Sequence, residues 1–307
     1  MYHRRGLTIL ALMVLSTALP SKAASGPTEA SEVRANHTMS GAMAPWIAGR
    51  LAVQLYSFRA DVEKDLTTTL QTIRRLGFER VELYPVPGVS AATMRAALDT
   101  ADLHAISAHV PLDSLESNLP SVIADAKQLG LSRVGVPWIK PRTSEPGAPL
   151  SQAEADAAVA IFKKACRPLH AAGIRLFLHN HGYEGVSAGG RTMLDRILST
   201  VSPDCLDLQI DVFWAATAGM NPAQLIRDYR PRVWSVHLKD RRQGAISQTA
   251  WTAEKRDSVV LGEGTLDIGA ILAAARTARV GSLIIEDESP EAEQQIKRSL
   301  DYLRHYH

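Results

Sequence analysis

Leu206-Asp207-Leu208-Gln209-Ile210-Asp211 is the stretch from which the architecture can be read. Its apolar and polar residues alternate with a period of two, as in a β-strand with unlike faces. Leu206, Leu208 and Ile210 share one face, and Asp207, Gln209 and Asp211 share the other. The same division recurs along the chain. Ser235 and His237 oppose Trp234, Val236 and Leu238, while Phe177 and His179 oppose Leu176, Leu178 and Asn180. Gln54 pairs with Tyr56 in this sense, and Glu82 with Tyr84. In a closed barrel the apolar faces would meet surrounding helices and the polar faces would look inward. Polar residues late in many strands predict a reactive barrel mouth.

Outward from this strand, one unit repeats from Arg50 onward. The strand candidates are Leu51–Tyr56, Arg80–Tyr84, His104–Val110, Arg133–Pro137, Ile174–Asn180, Leu206–Asp211, Arg232–Leu238 and Ser282–Glu286. The helix candidates are Asp61–Arg75, Ala91–Asp102, Leu115–Leu129, Ser151–Ala172, Thr192–Thr200, Pro222–Tyr229, Ile268–Ala278 and Pro290–His305. Asn221-Pro222 reads as a helix start and Gly173 as a helix stop. Eight units of about 32 residues each match a single-domain α/β (β/α)8 TIM barrel of about 250 residues. A doubly wound open sheet fits less well, because no G-x-G-x-x-G loop follows the first strand.

The chain has 307 residues, of which 46% are hydrophobic and 21% charged, and this excludes disorder for most of it. Residues 1–23 read as a secretory signal peptide: Arg4 and Arg5, an apolar run from Leu7 to Leu19, then Ser21-Lys22-Ala23 at a cleavage site. The run is shorter than the roughly 20 residues of a spanning helix, so no stable membrane anchor is expected. Cleavage after Ala23 would leave 284 residues and remove Arg4, Arg5 and Lys22, taking the formal charge from +2 to −1. That near-neutral balance argues against a nucleic-acid partner. A periplasmic or secreted location is the corresponding expectation. Residues 24–49 read as a flexible lead-in, and residues 50–307 as the barrel. Cys166 and Cys205 are expected as two free buried thiols, although export would permit them to pair.

Catalytic groups of such barrels sit at the C-terminal ends of strands. Strand five ends in His179-Asn180-His181, strand six in Asp211, strand seven in His237 and strand eight in Glu286. Four neighbouring strands thus each offer one metal-capable side chain at one height. Mixed imidazole and carboxylate donors suit one borderline divalent ion such as Mn²⁺, Co²⁺ or Zn²⁺. Whether His179 or His181 is the strand-five ligand stays open, since both lie on the same strand face.

Further stretches carry a family resemblance. Val53-Gln54-Leu55-Tyr56-Ser57, Val81-Glu82-Leu83-Tyr84 and Ser107-Ala108-His109-Val110-Pro111-Leu112 resemble the first three strands of the sugar phosphate isomerase/epimerase family, with its xylose isomerase-like barrel. Leu178–Glu184 (LHNHGYE), Asp211–Gly219 (DVFWAATAG), His237–Asp240 (HLKD), Gly262–Asp267 (GEGTLD) and Ile284–Asp287 (IIED) extend the likeness to about Leu51–Leu303. The resemblance implies a divalent metal at the barrel mouth, carried over onto Asp211, His237 and Glu286. In the ketose 3-epimerases of this family a glutamate ends strand five and works with the strand-eight glutamate as an acid/base pair. Here His179 stands at that position, and Lys239, Asp240 and Arg242 follow the strand-seven histidine. The AP endonuclease branch fits poorly, lacking evident extra zinc ligands and a basic surface.

The expectation is therefore an exported, metal-dependent sugar isomerase or epimerase acting by proton abstraction next to a carbonyl, through a metal-stabilised enediolate. Glu286, His181 and Lys239 are the candidate acid/base groups. Burial or a nearby metal would bring the pKa values of Lys239 and His181 toward neutrality. Gln54, His109, Trp214 and Asp240 are the candidate substrate contacts, with Glu184 behind them. Gly262-Glu263-Gly264 reads as a turn leading to Asp267 as helix cap, and the Asp240–Leu261 connection is long enough for a lid. Two alternatives stand beside this reading: a metal-dependent lyase or dehydratase on an oxidised sugar, polyol or glycoside, and a non-catalytic periplasmic sugar-binding protein.

Overall fold

The computed structural model describes residues 42–140, 148–188, 190–245 and 255–306. The signal peptide read over residues 1–23, most of the lead-in, and the centre of the proposed lid lie outside the described residues. Eight parallel strands close into a barrel in chain order. They are β1 (Leu51–Gln54), β2 (Arg80–Leu83), β3 (His104–His109), β4 (Arg133–Val136), β5 (Arg175–His179), β6 (Leu206–Asp211), β7 (Val233–Leu238) and β8 (Ser282–Ile285). Each falls on its sequence-predicted strand, and β8 closes on β1 with Ala52 opposite Ile284. The outward faces, such as Leu206, Leu208 and Ile210, are fully buried under the helices. Each such side chain contributes about 1.5–3 kcal/mol by leaving water.

The helices follow the same logic. Gln152–Ala171 is started by a Ser151–Glu154 capping box and buries Ala155, Ala158, Val159, Phe162, Ala165 and Leu169 along one stripe. Two expected helices are each split. Asp65 interrupts the first, and its side chain caps Leu66–Arg75 through Thr68 N. The second divides at Asn118 into Leu112–Ser117 and Leu119–Leu129, where Pro120 favours a helix start. Pro45–Ala48 forms a short helix with Ile47 fully buried, so packing begins ahead of the residue 50 boundary. Among the described residues, no helix is long and apolar enough to cross a membrane.

The expectation of two free thiols is corrected. Cys166, on the long helix, forms a disulfide with Cys205, just before β6, with Cα atoms 5.4 Å apart. That separation lies within the usual reach of a disulfide, but pairing across 39 residues has no local sequence signal. Closing a loop of this length should stabilise the fold by about 4 kcal/mol on the chain-entropy account. Cys205→Ser should accordingly lower the midpoint of thermal or urea unfolding under oxidising conditions. An unchanged midpoint would show that the tie is thermodynamically idle.

The barrel interior is filled. Gly135 on β4 leaves the space that the Phe177 ring occupies; a Cβ there would lie 2.0 Å from that ring. Phe177 lies between His109, ring centroids 5.9 Å apart, and Trp234, at 5.0 Å. It divides the polar layer toward the mouth from the opposite end of the barrel.

Candidate active site

Two register irregularities assemble the polar layer. Between β2 and β3, Val81 faces Ala105 but Glu82 faces Ser107; between β6 and β7, Leu208 faces Val233 but Gln209 faces Ser235. Each shift inserts one residue on the partner strand, as bulges do near sites. They bring Glu82 and Gln209, both fully buried, into contact at 2.8 Å.

Glu82 is the hub, and the sequence reading assigned it no chemistry. Oε1 accepts from His237 Nε2 at 2.6 Å and Gln54 Nε2 at 2.9 Å. Oε2 accepts from Ser107 Oγ at 2.5 Å and from Gln209 Nε2. Burial alone would raise its pKa, but the His109 and His237 charges bring it below the usual value. Gln209, also missed, orients two rings. Its amide nitrogen donates to Glu82 and to Ser235 Oγ at 2.9 Å. Its Oε1 therefore faces His109 Nε2 at 2.8 Å and His179 Nδ1 at 2.9 Å. Both of those nitrogens must donate, which leaves His179 Nε2 as a lone pair directed to the mouth side.

Above this layer the ligand-type atoms converge. Asp211 Oδ1 caps the helix Val212–Thr217 through Trp214 N at 3.0 Å. Sequence reasoning missed this helix, a single aromatic-rich turn and a half. Asp211 Oδ2 is buried and accepts no hydrogen bond. It lies 3.8 Å from His179 Nε2 and 3.9 Å from His237 Nδ1. Glu286 Oε2 is 2.9 Å from His237 Nδ1. Ligand atoms of Asp211, His237 and Glu286 all fall within 4.8 Å of one another, as do those of His109, His179 and His237. Asp211 Oδ2, ion-paired with Lys239 but without a hydrogen bond, and the mixed nitrogen and oxygen donors fit one borderline divalent ion, which His179, Asp211, His237 and Glu286 would hold.

Charge is balanced tightly. Burial opposes a charged His237, but Glu82 and Glu286 push its pKa up to about 10. Burial raises the Glu286 pKa, but Lys239 and His237 hold it well below the carboxylate range. Lys239 Nζ lies 3.1 Å from Asp211 Oδ2, 2.8 Å from Glu286 Oε2 and 2.8 Å from Glu288 Oε1. The expectation that burial would bring Lys239 toward neutrality is therefore corrected: desolvation favours the neutral amine, but these three carboxylates raise its pKa well above the ordinary value. His181 also departs from the expectation. Burial, then the Lys239 charge, drive it down to about 3, so its imidazole is neutral. His181 Nδ1 has no partner, and the ring packs against Tyr183 and Trp214. Beneath it Glu184 accepts from His181 N at 2.9 Å, and burial raises its pKa to about 8.

A cleft of about 430 Å³ opens over these groups, with His109, His179, His181, Trp214, Lys239 and Glu286 in its walls. Two candidate substrate contacts do not reach it. Gln54 is buried below, its amide shared between Glu82 and Tyr56 N. Asp240 is fully buried, and its carboxylate accepts from the backbone N–H groups of Arg241, Gly262, Gly264 and Leu266. It fixes the 262–266 turn, which leads to Asp267 capping Ile268–Ala278 as expected. A Cβ on Gly264 would lie 2.1 Å from Asp240 Oδ1, so that turn requires glycine.

The family description "xylose isomerase-like TIM barrel" matches residues 70–306. The chain belongs to this family. Among solved structures, a sugar phosphate isomerase/epimerase from Parabacteroides distasonis is 17% identical, with 85% of this chain and 96% of that chain covered and a TM-score of 0.68. A xylose isomerase-like TIM barrel protein from Mycobacterium smegmatis in complex with magnesium is 16% identical, covering 84% and 97%, with a TM-score of 0.65. The probable 3-DHS dehydratase AsbF from Bacillus anthracis is 15% identical, covering 84% and 100%, with a TM-score of 0.64. At these identities the likeness is one of fold. A search of curated protein sequences finds no match.

Proposed function

We propose that this family member is an exported, divalent-metal-dependent sugar isomerase or epimerase that acts on carbon next to a carbonyl. The observation that carries the reading is the convergence of Asp211 Oδ2, His237 Nδ1 and Glu286 Oε2 beneath a cleft whose walls hold acid and base groups. A bound divalent ion would supply Lewis-acid polarisation of adjacent carbonyl and hydroxyl oxygens. The protein's own groups do the rest. Glu286 and neutral His181 are the bases facing the cleft, and either accepts the α-proton as its electrons move toward the carbonyl oxygen. Lys239, held as an ammonium, offsets the developing negative charge. Return of a proton to carbon completes isomerisation or epimerisation, and Trp214 offers a ring face to the sugar. Small carbohydrates are the proposed substrates. Periplasmic or secreted location is part of the proposal, and the Cys166–Cys205 disulfide supports it, since such bonds persist in oxidising compartments.

One observation favours a lyase as second reading. Lys239 is an ammonium in the cleft wall beside Glu286, an acid placed to protonate a departing β-oxygen. Incubation of the metal-loaded enzyme with aldoses, ketoses and oxidised sugars or glycosides in D2O tests both. Deuterium on carbon next to the carbonyl, with an isomeric product, is the expected result. An unsaturated product that has lost water or an alcohol would assign the lyase. Saturable sugar binding with neither exchange nor product would overturn both and leave a binding protein.

A further inference from the structure

The opposite end of the barrel, away from the cleft, holds an open bowl of about 870 Å³. Its wall is built where strands begin: Arg133 opens β4, Arg175 opens β5, Arg232 precedes β7, and Arg230 and Arg279 lie on adjoining loops. Asp207 is the one carboxylate in that wall among the described residues, so five guanidinium groups face one acid.

Two of the five have structural duties. Arg175 Nε donates to Asp207 Oδ2 at 2.8 Å, and its other nitrogens reach Asp204 O and Pro203 O. Arg232 donates to the backbone carbonyls of Leu198, Val201, Ser202 and Leu206, and shares the Asp207 charge with Arg175 and Arg133. The other three donate no side-chain hydrogen bond among the described residues, and of them only Arg133 lies near the acid. Arg133 Nε stays 3.6 Å from Asp207, without a hydrogen bond, while its guanidinium lies 5.0 Å from the Trp234 ring centroid. The Trp234 indole Nε1 is a buried donor without an acceptor. The side chains of Arg230 and Arg279 are exposed and have no hydrogen-bond or ion-pair partner among the described residues. Clustering like charges around a concavity is unfavourable unless an anion relieves it. Planar forked guanidinium groups match tetrahedral oxyanions in particular.

We propose that this bowl is an oxyanion site that takes a phosphate-type group, independent of the cleft. A soluble phosphorylated molecule and a phospholipid headgroup present the same chemistry. The test uses the full mature protein with sodium pyrophosphate in a calorimetric titration, and in parallel with vesicles of phosphatidylglycerol or of phosphatidylcholine alone. R133A/R279A and R230A/R279A are run beside the wild type. Arg230 and Arg279 are exposed, so the second variant keeps the test valid if loss of Arg133 impairs folding. Pyrophosphate affinity that falls roughly tenfold or more in the variants, as expected on losing charge-assisted contacts, supports the site with a soluble ligand. Retention on phosphatidylglycerol vesicles only, lost in the variants, supports it with a headgroup ligand. Absence of both, or binding that survives both variants and disappears in Asp211→Asn, overturns the proposal.

Discussion

Asp211→Asn is expected to reduce kcat/KM on any sugar substrate roughly 100- to 1,000-fold and to abolish retention of a divalent ion, while the helix that Asp211 caps is kept. The separation follows from the division of labour between the two carboxylate oxygens. Oδ1 caps a helix through Trp214 N, and an asparagine oxygen does the same. Oδ2 is the buried oxygen without a hydrogen bond, beside His179, His237 and Lys239. An amide there has neither the charge to hold a cation nor the charge to balance Lys239. The measurement is bound metal per chain by mass spectrometry, with kcat/KM and the thermal midpoint on the same sample. Full activity with an unaltered metal content would remove Asp211 from the mechanism, and with it the four-ligand assignment.

Glu82→Ala should produce the largest loss of stability of any single change in the polar layer. It removes the acceptor used by His237, Gln54, Ser107 and Gln209 in a region with no exposure to water. Removing one partner of a buried ion pair costs about 3–5 kcal/mol, and unpaired donors add to that. Activity should fall as well, because His237 loses the partner that holds Nε2 and directs Nδ1 to the mouth. Urea unfolding of the variant gives the test. An unfolding free energy within about 0.5 kcal/mol of wild type, the range of an ordinary surface change, would mean that water or rearrangement replaces Glu82 without loss.

The barrel was legible because its strands carry a local signal. A period of two in Leu206–Asp211 and its counterparts needs no knowledge of distant residues. The same alternation put Asp211 and His237 on inward faces at adjacent strand ends, where their Cα atoms are indeed register partners. Glu82 and Gln209 sat on the same faces, yet no local pattern shows that two register shifts bring them together across the barrel. Asp240 misled for the opposite reason. An acid beside Lys239 resembles a site residue, but the chain turns there and points it at the Arg241 amide and at three backbone amides from a loop more than 20 residues on. The Lys239 charge state was beyond sequence for a similar reason, since two of its three carboxylate partners come from the far side of β8 in chain order.

The Phe177 ring seated over Gly135 has a consequence for traffic. It stoppers the channel that a closed sheet would otherwise surround, so solvent and protons reach the reacting carbon by the same door as the sugar. A sugar lying in that doorway obstructs the supply of solvent hydrons. The proton removed from carbon then competes for its return with the hydrons that enter at the mouth, and product formed in D2O should carry deuterium at less than one atom per turnover.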